Sequence, residues 1–133
     1  MEKMFLYTDG GSRNNPGQAA IGVVLMNKDN IVEKIGKRIG IATNNEAEYT
    51  ALIEGMKSAA KHKSKELVCF MDSELVVKQL SGIYRIKDPK LQKLAIEAKN
   101  MEKLFEKVQF KHIPRKQNSV ADSLVNAALD NLL

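Results

Sequence analysis

Four carboxylates in this chain stand where a carboxylate is a poor choice for folding. Asp9 follows the apolar, β-prone run Met4 to Tyr7 and opens a stretch rich in glycine and asparagine, Thr8 to Gly17. Glu48 falls on the apolar side of a helical pattern, Asp72 ends a second apolar run, Leu67 to Met71, and Asp122 opens a last helix among alanines and valines. Strand ends are where α/β sheets hold ligands, and charges removed from water need partners. Acids so placed suggest a cluster kept for a cation. A set of oxygen donors suits Mg²⁺ or Mn²⁺, which keep waters and phosphate oxygens in their remaining positions. The nitrogen and sulfur donors are only His62, His112 and Cys69, without zinc-like spacing. Two hard ions roughly 3.5–4 Å apart can activate a water and stabilise the leaving oxygen of a phosphodiester in one in-line displacement. The chemistry implied is phosphodiester hydrolysis.

Each acid also has a purely structural alternative. Asp9-Gly10 is a common turn dipeptide, Glu48 and Asp122 could serve helix dipoles, and Asp72 could cap the helix that follows it. These alternatives would all have to hold at once, at strand ends and helix starts that one sheet could bring to one edge.

The elements that must position them follow from periodicity. Met4 to Thr8, Ala19 to Asn27 and Ile31 to Ile41 read as strands, with Lys28-Asp29-Asn30 as a turn, which predicts an antiparallel meander. Thr43 followed by Glu46 is a capping-box signal for a helix to about His62, with Glu48, Ala51, Leu52, Gly55 and Ala59 inward. Leu67 to Met71 is a strand covered on both faces. A short helix runs from Ser73 to Leu80 and stops at Gly82. Asp88 and Pro89 start a longer one with the stripe Leu91, Leu94, Ala95, Ala98, Met101 and Phe105. Val108 to Ile113 is a fifth strand and Pro114 to Gln117 a loop. From Ser119 a final helix buries Ala121, Leu124, Val125, Ala128 and Leu132. The order βββαβααβα describes one mixed α/β domain over 1–133.

Composition bounds the rest. At 133 residues, 44% hydrophobic and 28% charged, the chain is of ordinary globular type and long enough to bury a core without staples. Cys69, the one cysteine, reads as a small buried hydrophobe and makes no disulfide framework. No apolar stretch is long enough to span a membrane and MEKMFLYTDG holds no signal-peptide core, so a cytoplasmic protein is expected, with no membrane partner. The net charge of +5 attracts polyanions. The lysines from Lys87 to Lys107 equally describe a solvated helix face.

Taken together, the motifs resemble those of type 1 ribonuclease H, enzymes that cut the RNA strand of an RNA/DNA hybrid. They are Asp9 through Asn15-Pro16-Gly17, Thr43-Asn44-Asn45-Glu46-Ala47-Glu48, Asp72-Ser73, and Asn118 to Asp122, in the family's order and across essentially the whole chain. The resemblance implies a five-stranded mixed sheet, an antiparallel meander followed by parallel strands, flanked by helices. It implies that Asp9, Glu48, Asp72 and Asp122 are catalytic and hold two Mg²⁺ or Mn²⁺ ions, with Asp9 bridging both. Gly10, Gly11 and Glu48 would lie along the RNA strand, where 2′-hydroxyls separate RNA from DNA. Asn15, Asn44 and Asn45 match hybrid-groove residues and Thr43 a DNA-phosphate contact, beside a capping role for Thr43 and Asn44. The implied activity is endonucleolytic hydrolysis giving 3′-hydroxyl and 5′-phosphate ends, by a monomer whose partner is the hybrid.

There are departures from the family pattern. The loop before Asp122 is short, and His112 falls within the preceding strand, so the mobile loop histidine of many relatives has no counterpart. Arg115 is the nearest residue able to serve instead, and is equally an ordinary surface arginine. Glu74 stands where relatives often have glutamine. The basic protrusion of some members is missing between Ser81 and Lys87, where Arg85, Lys87, Lys90 and Lys93 could compensate. A hybrid-binding module with an idle site, or an exonuclease or strand-transfer activity on the same fold, are the competing readings.

Overall fold

The computed structural model describes residues 3–133, so the part of the N-terminal reading that rests on Met1 and Glu2 lies outside the described residues. Strands β1 (Lys3–Arg13), β2 (Gly17–Met26) and β3 (Ile31–Ala42) form the meander, and α1 (Asn44–Lys61) leads to β4 (Glu66–Met71). Then come α2 (Glu74–Leu80), α3 (Pro89–Met101), a 3₁₀ turn (Glu102–Leu104), β5 (Lys107–His112), a second 3₁₀ turn (Arg115–Asn118) and α4 (Ser119–Leu129). The sheet order is β3-β2-β1-β4-β5. β1 pairs antiparallel with β2 and parallel with β4, which pairs parallel with β5. This is the mixed sheet and element order that the sequence predicts.

Local chemistry sets the joints. Thr43 Oγ1 accepts from the Glu46 amide while Glu46 Oε1 accepts from the Thr43 amide, a complete capping box. Asn27 Oδ1 accepts from the amides of Asp29 and Asn30 and so closes the β2–β3 turn. Asp88 caps α3 with Pro89 in its first turn. Ser73, rather than Asp72, accepts from the Val76 amide at the start of α2, so the capping alternative for Asp72 falls away.

Several details differ from the periodic reading, among them Phe70, which is only half-buried in a strand read as covered on both faces. α1 buries Tyr49, Ile53 and Met56 as well as Ala51, Leu52, Gly55 and Ala59, because the sheet packs on one side of it and α3 on another. Phe105 lies beyond α3, which ends at Met101, yet it is still buried in the same core. Leu132 is 74% exposed, because α4 ends at Leu129 and carries it no further. Cys69 is buried as expected, and burial pushes its thiol well above the ordinary range. Among the described residues no helix is long and apolar enough to cross a membrane.

Candidate active site

The sheet brings two of the acids side by side. Tyr7 of β1 is in register with Phe70 of β4, so Asp9 and Asp72, each two residues further on, stand at the same level, Asp9 within β1 and Asp72 just past the end of β4. Asp9 is not at a strand end. β1 continues through Gly10 and Gly11 to Arg13, held by its ladder with β2 from Asp9↔Gly22 to Arg13↔Gln18.

The other two acids arrive on helices that press against the sheet through glycines. A β-carbon on Gly10 would stand 2.3 Å from the Ala47 carbonyl and 2.5 Å from the Glu48 amide nitrogen, so α1 touches β1 backbone to backbone just where Glu48 begins. A β-carbon on Gly22 would stand 2.1 Å from the Ala121 carbonyl oxygen, which seats the first turn of α4 and with it Asp122. Asn118, 1% exposed, fixes that turn by donating from Nδ2 to the Thr8 carbonyl at 2.8 Å.

Asp9, Glu48, Asp72 and Asp122 therefore line one cleft of about 460 Å³, together with Gly10, Gly11, Asn44 and Arg115. Loss of water around Asp9, then the charge of Asp72, then the nearness of Asp122 and Glu48, push its carboxyl up to about 8. Glu48 is pushed up to about 7, chiefly by burial and then by Asp72, against the downward pull of the Ser73 hydroxyl beside it. The carboxylates crowd one another enough to compete for protons. Among the described residues no three acidic, histidine or cysteine side chains are already drawn into a single ligand shell. The donor set still fits a divalent cation, being all oxygen and charged against itself. Arg115 Nη2 stands 3.4 Å from Asp122 Oδ1, with its side chain 78% exposed.

The remaining expected residues divide. Gly10, Gly11 and Asn44 line the cleft, whereas Asn15, Thr43 and Asn45 are not among its lining residues. Asn44 Oδ1 accepts from the Ser12 amide at 2.8 Å and Asn15 Oδ1 accepts from the Asn44 amide at 3.0 Å, so the two asparagines tie the start of α1 to the end of β1. Thr43 is the cap described above. Asn45 is half-buried in the first turn of α1. His112 ends β5, exposed, and Glu74 pairs with Lys78 at 2.9 Å.

Sequence reasoning missed Ser12, Arg13 and Asn126, which also line the cleft. Asn126 lies one helical turn beyond Asp122, a signal available from spacing alone. Arg13, paired with Asp130 at 2.6 Å, could be found only by continuing β1 past its glycines. A larger, more apolar cleft of about 710 Å³ between α2, α3 and β5 holds none of the acids.

Comparison with known proteins agrees with this fold. Residues 7–128 match the family described as reverse transcriptase-like. The chain is 42% identical to ribonuclease HI of Halobacterium salinarum, spanning 97% of this chain and 65% of that protein. It superposes on that enzyme's crystal structure with a TM-score of 0.95, covering 97% of this chain and 98% of the solved one. It is 41% identical to bifunctional protein Rv2228c of Mycobacterium tuberculosis, over 96% of this chain but 36% of the relative. LC11-RNase H1, isolated from compost and solved in complex with an RNA/DNA hybrid, matches with a TM-score of 0.91 at 39% identity, covering 96% of this chain and 97% of the other. The chain thus spans about a third of the mycobacterial relative and just under two-thirds of the halobacterial one.

Proposed function

The chain belongs to the type 1 ribonuclease H family, and from that premise we propose that residues 1–133 form one domain that hydrolyses the RNA strand of RNA/DNA hybrids internally, leaving 3′-hydroxyl and 5′-phosphate ends. The observation that carries this reading is the convergence of four carboxylates from four separate segments into one cleft, two of them with strongly raised affinity for protons. Such crowding is costly to a fold and useful to a cation site.

Asp9, Glu48, Asp72 and Asp122 are the residues that would hold two Mg²⁺ or Mn²⁺ ions. When bound, such ions supply an activated water and charge stabilisation for the leaving oxygen. Asp9 lies in the influence of all three other acids, the position from which one carboxylate can serve both ions. The backbone of Gly10 and Gly11 would lie along the RNA strand beside Glu48, where a 2′-hydroxyl would be read. Asn44 faces the same cleft. Asn15, Asn44 and Asn45 would contact the hybrid groove and Thr43 a DNA phosphate, while Asn15 and Thr43 also shape the start of α1. Arg115, 3.4 Å from Asp122, would supply a cation to a phosphate in the cleft.

Labelled RNA/DNA, RNA/RNA and DNA/DNA duplexes of one sequence test the reading. Internal cuts in the RNA of the hybrid, abolished by chelator, are expected. Binding of the hybrid without any cutting over a range of Mg²⁺ and Mn²⁺ would instead identify a binding module, and terminal products an exonuclease.

A further inference from the structure

The sheet face that carries Asp9 is covered unevenly. α4 packs on it over β2, β3 and the upper part of β1. Lower on the same face, toward β4, the odd residues of β1 and the even residues of β4 present Phe5, Tyr7 and Phe70, each only half-buried. The rings of Tyr7 and Phe70 are 4.8 Å apart and those of Phe5 and Phe70 6.4 Å apart, with 20° between planes in both pairs. Phe70 thus stacks with a ring on each of two neighbouring positions of β1, and the half-buried set leaves aromatic area within reach of a ligand.

The surroundings of these rings carry three lysines, and on β4 one acid, Glu66, which is in register with Lys3. Lys3 Nζ lies 5.8 Å from the centre of the Phe5 ring. Lys28 lines, with the three rings, a depression of about 240 Å³. Lys111, exposed on β5, is in register with Phe70 and so shares its face. Apolar area alone would suit a protein partner. Rings fenced by cations suit a polyanion that also carries flat apolar groups, and unpaired nucleic acid is that polymer: phosphates for the lysines, bases for the rings.

We propose that the Phe5–Phe70–Tyr7 face, fenced by Lys3, Lys28 and Lys111, is a stacking platform for an unpaired nucleic-acid strand, separate from the cleft of the four acids. It goes beyond the proposed hydrolysis and does not require it, since stacking and phosphate contacts need no carboxylate. A base laid against a ring adds contact that is tolerant of sequence, and the lysines make it sensitive to salt.

The experiment is fluorescence anisotropy of labelled dT12, a strand that the proposed activity does not cut, with excess chelator at low salt. Wild type is expected to bind, with affinity falling as salt rises. Phe5→Leu, which keeps apolar bulk but removes the ring, is expected to weaken binding about tenfold, the scale of one lost base stack. Phe5→Tyr is expected to restore it. The double substitution Lys3→Glu with Lys111→Glu, on exposed side chains, is expected to weaken binding at least as much while cutting of a short blunt hybrid is unchanged. Circular dichroism checks folding, and the lysine variant keeps the test open if Phe5→Leu does not fold. No binding by wild type, equal binding by Phe5→Leu and Phe5→Tyr, or binding untouched by the lysine changes would each overturn the proposal. Absence of hybrid cutting by wild type with dT12 binding intact would count against the hydrolytic reading alone.

Discussion

Gly10 and Ala47 meet backbone to backbone: a β-carbon on Gly10 would lie 2.3 Å from both the carbonyl carbon and the carbonyl oxygen of Ala47. No flexible side chain can yield there, so any larger residue must push α1 away from β1, and Glu48 moves with it. Gly10→Ala is expected to cost about 1–3 kcal/mol in urea unfolding, the usual range for overpacking. It is also expected to lower hybrid cleavage by more than the lost folded fraction explains. Full activity with unchanged stability would mean that the contact relaxes freely.

Asp9 gives a pH prediction. Its carboxyl rises from the ordinary 3.8 to about 8, so the folded protein holds that proton more tightly than the unfolded chain does. The contribution to stability is fully present below the unfolded value and is lost as pH climbs through the folded one. Asp9→Asn removes the titration. In chelator, the variant is expected to melt at a higher temperature than wild type at pH 8 and to approach it near pH 4. Saturating Mg²⁺ is expected to narrow the gap at pH 8 by stabilising wild type, as a ligand that binds only the folded state must. A variant no more stable than wild type at pH 8 would mean that burial and the neighbouring acids do not hold the Asp9 proton as described.

The start of α1 does two jobs that substitutions can separate. Thr43→Ala removes the capping-box acceptor, at a cost of about 1 kcal/mol in stability. Asn44→Ala removes the acceptor for the Ser12 amide and a group that faces the cleft. The first is expected to show mainly in thermal melts, the second mainly as a higher KM for hybrid.

Arg115 is expected to matter to turnover and not to the fold. Its pair with Asp122 is long, at 3.4 Å, and the arginine is 78% exposed, so its energetic weight is small. Arg115→Ala is expected to leave stability within about 0.5 kcal/mol and to lower kcat several-fold with little change in KM. Arg115→Lys, which keeps the charge, is expected to recover part of it. Unchanged kcat in both would make it an ordinary surface arginine.

Much of this arrangement is legible in the residues because the acids sit against the grain of local folding. Apolar runs end at Asp72 and lead to Asp9, and those two strands prove to be parallel neighbours. What stayed hidden depends on tertiary partners. The stretch after Asp9 reads as a loop because glycine is a poor strand former, yet β2 supplies a full ladder out to Arg13 and the pairing overrides propensity. A single inward stripe on α1 misses Tyr49 and Met56, since one helical period cannot show that α3 covers another side. Asn15 and Asn44 carry no local mark of their hydrogen bond, which closes across 29 residues.

The central claim is that the acids of this cleft act together on a phosphodiester, and the most direct measurement is cleavage of a labelled RNA/DNA hybrid by Asp72→Asn beside wild type, in Mg²⁺ and in Mn²⁺. The variant is expected to stay folded, to bind hybrid, and to lose cutting by on the order of a thousandfold, as when an electrostatic group essential to the transition state is removed. A folded Asp72→Asn that cuts within a few-fold of wild type would contradict the account.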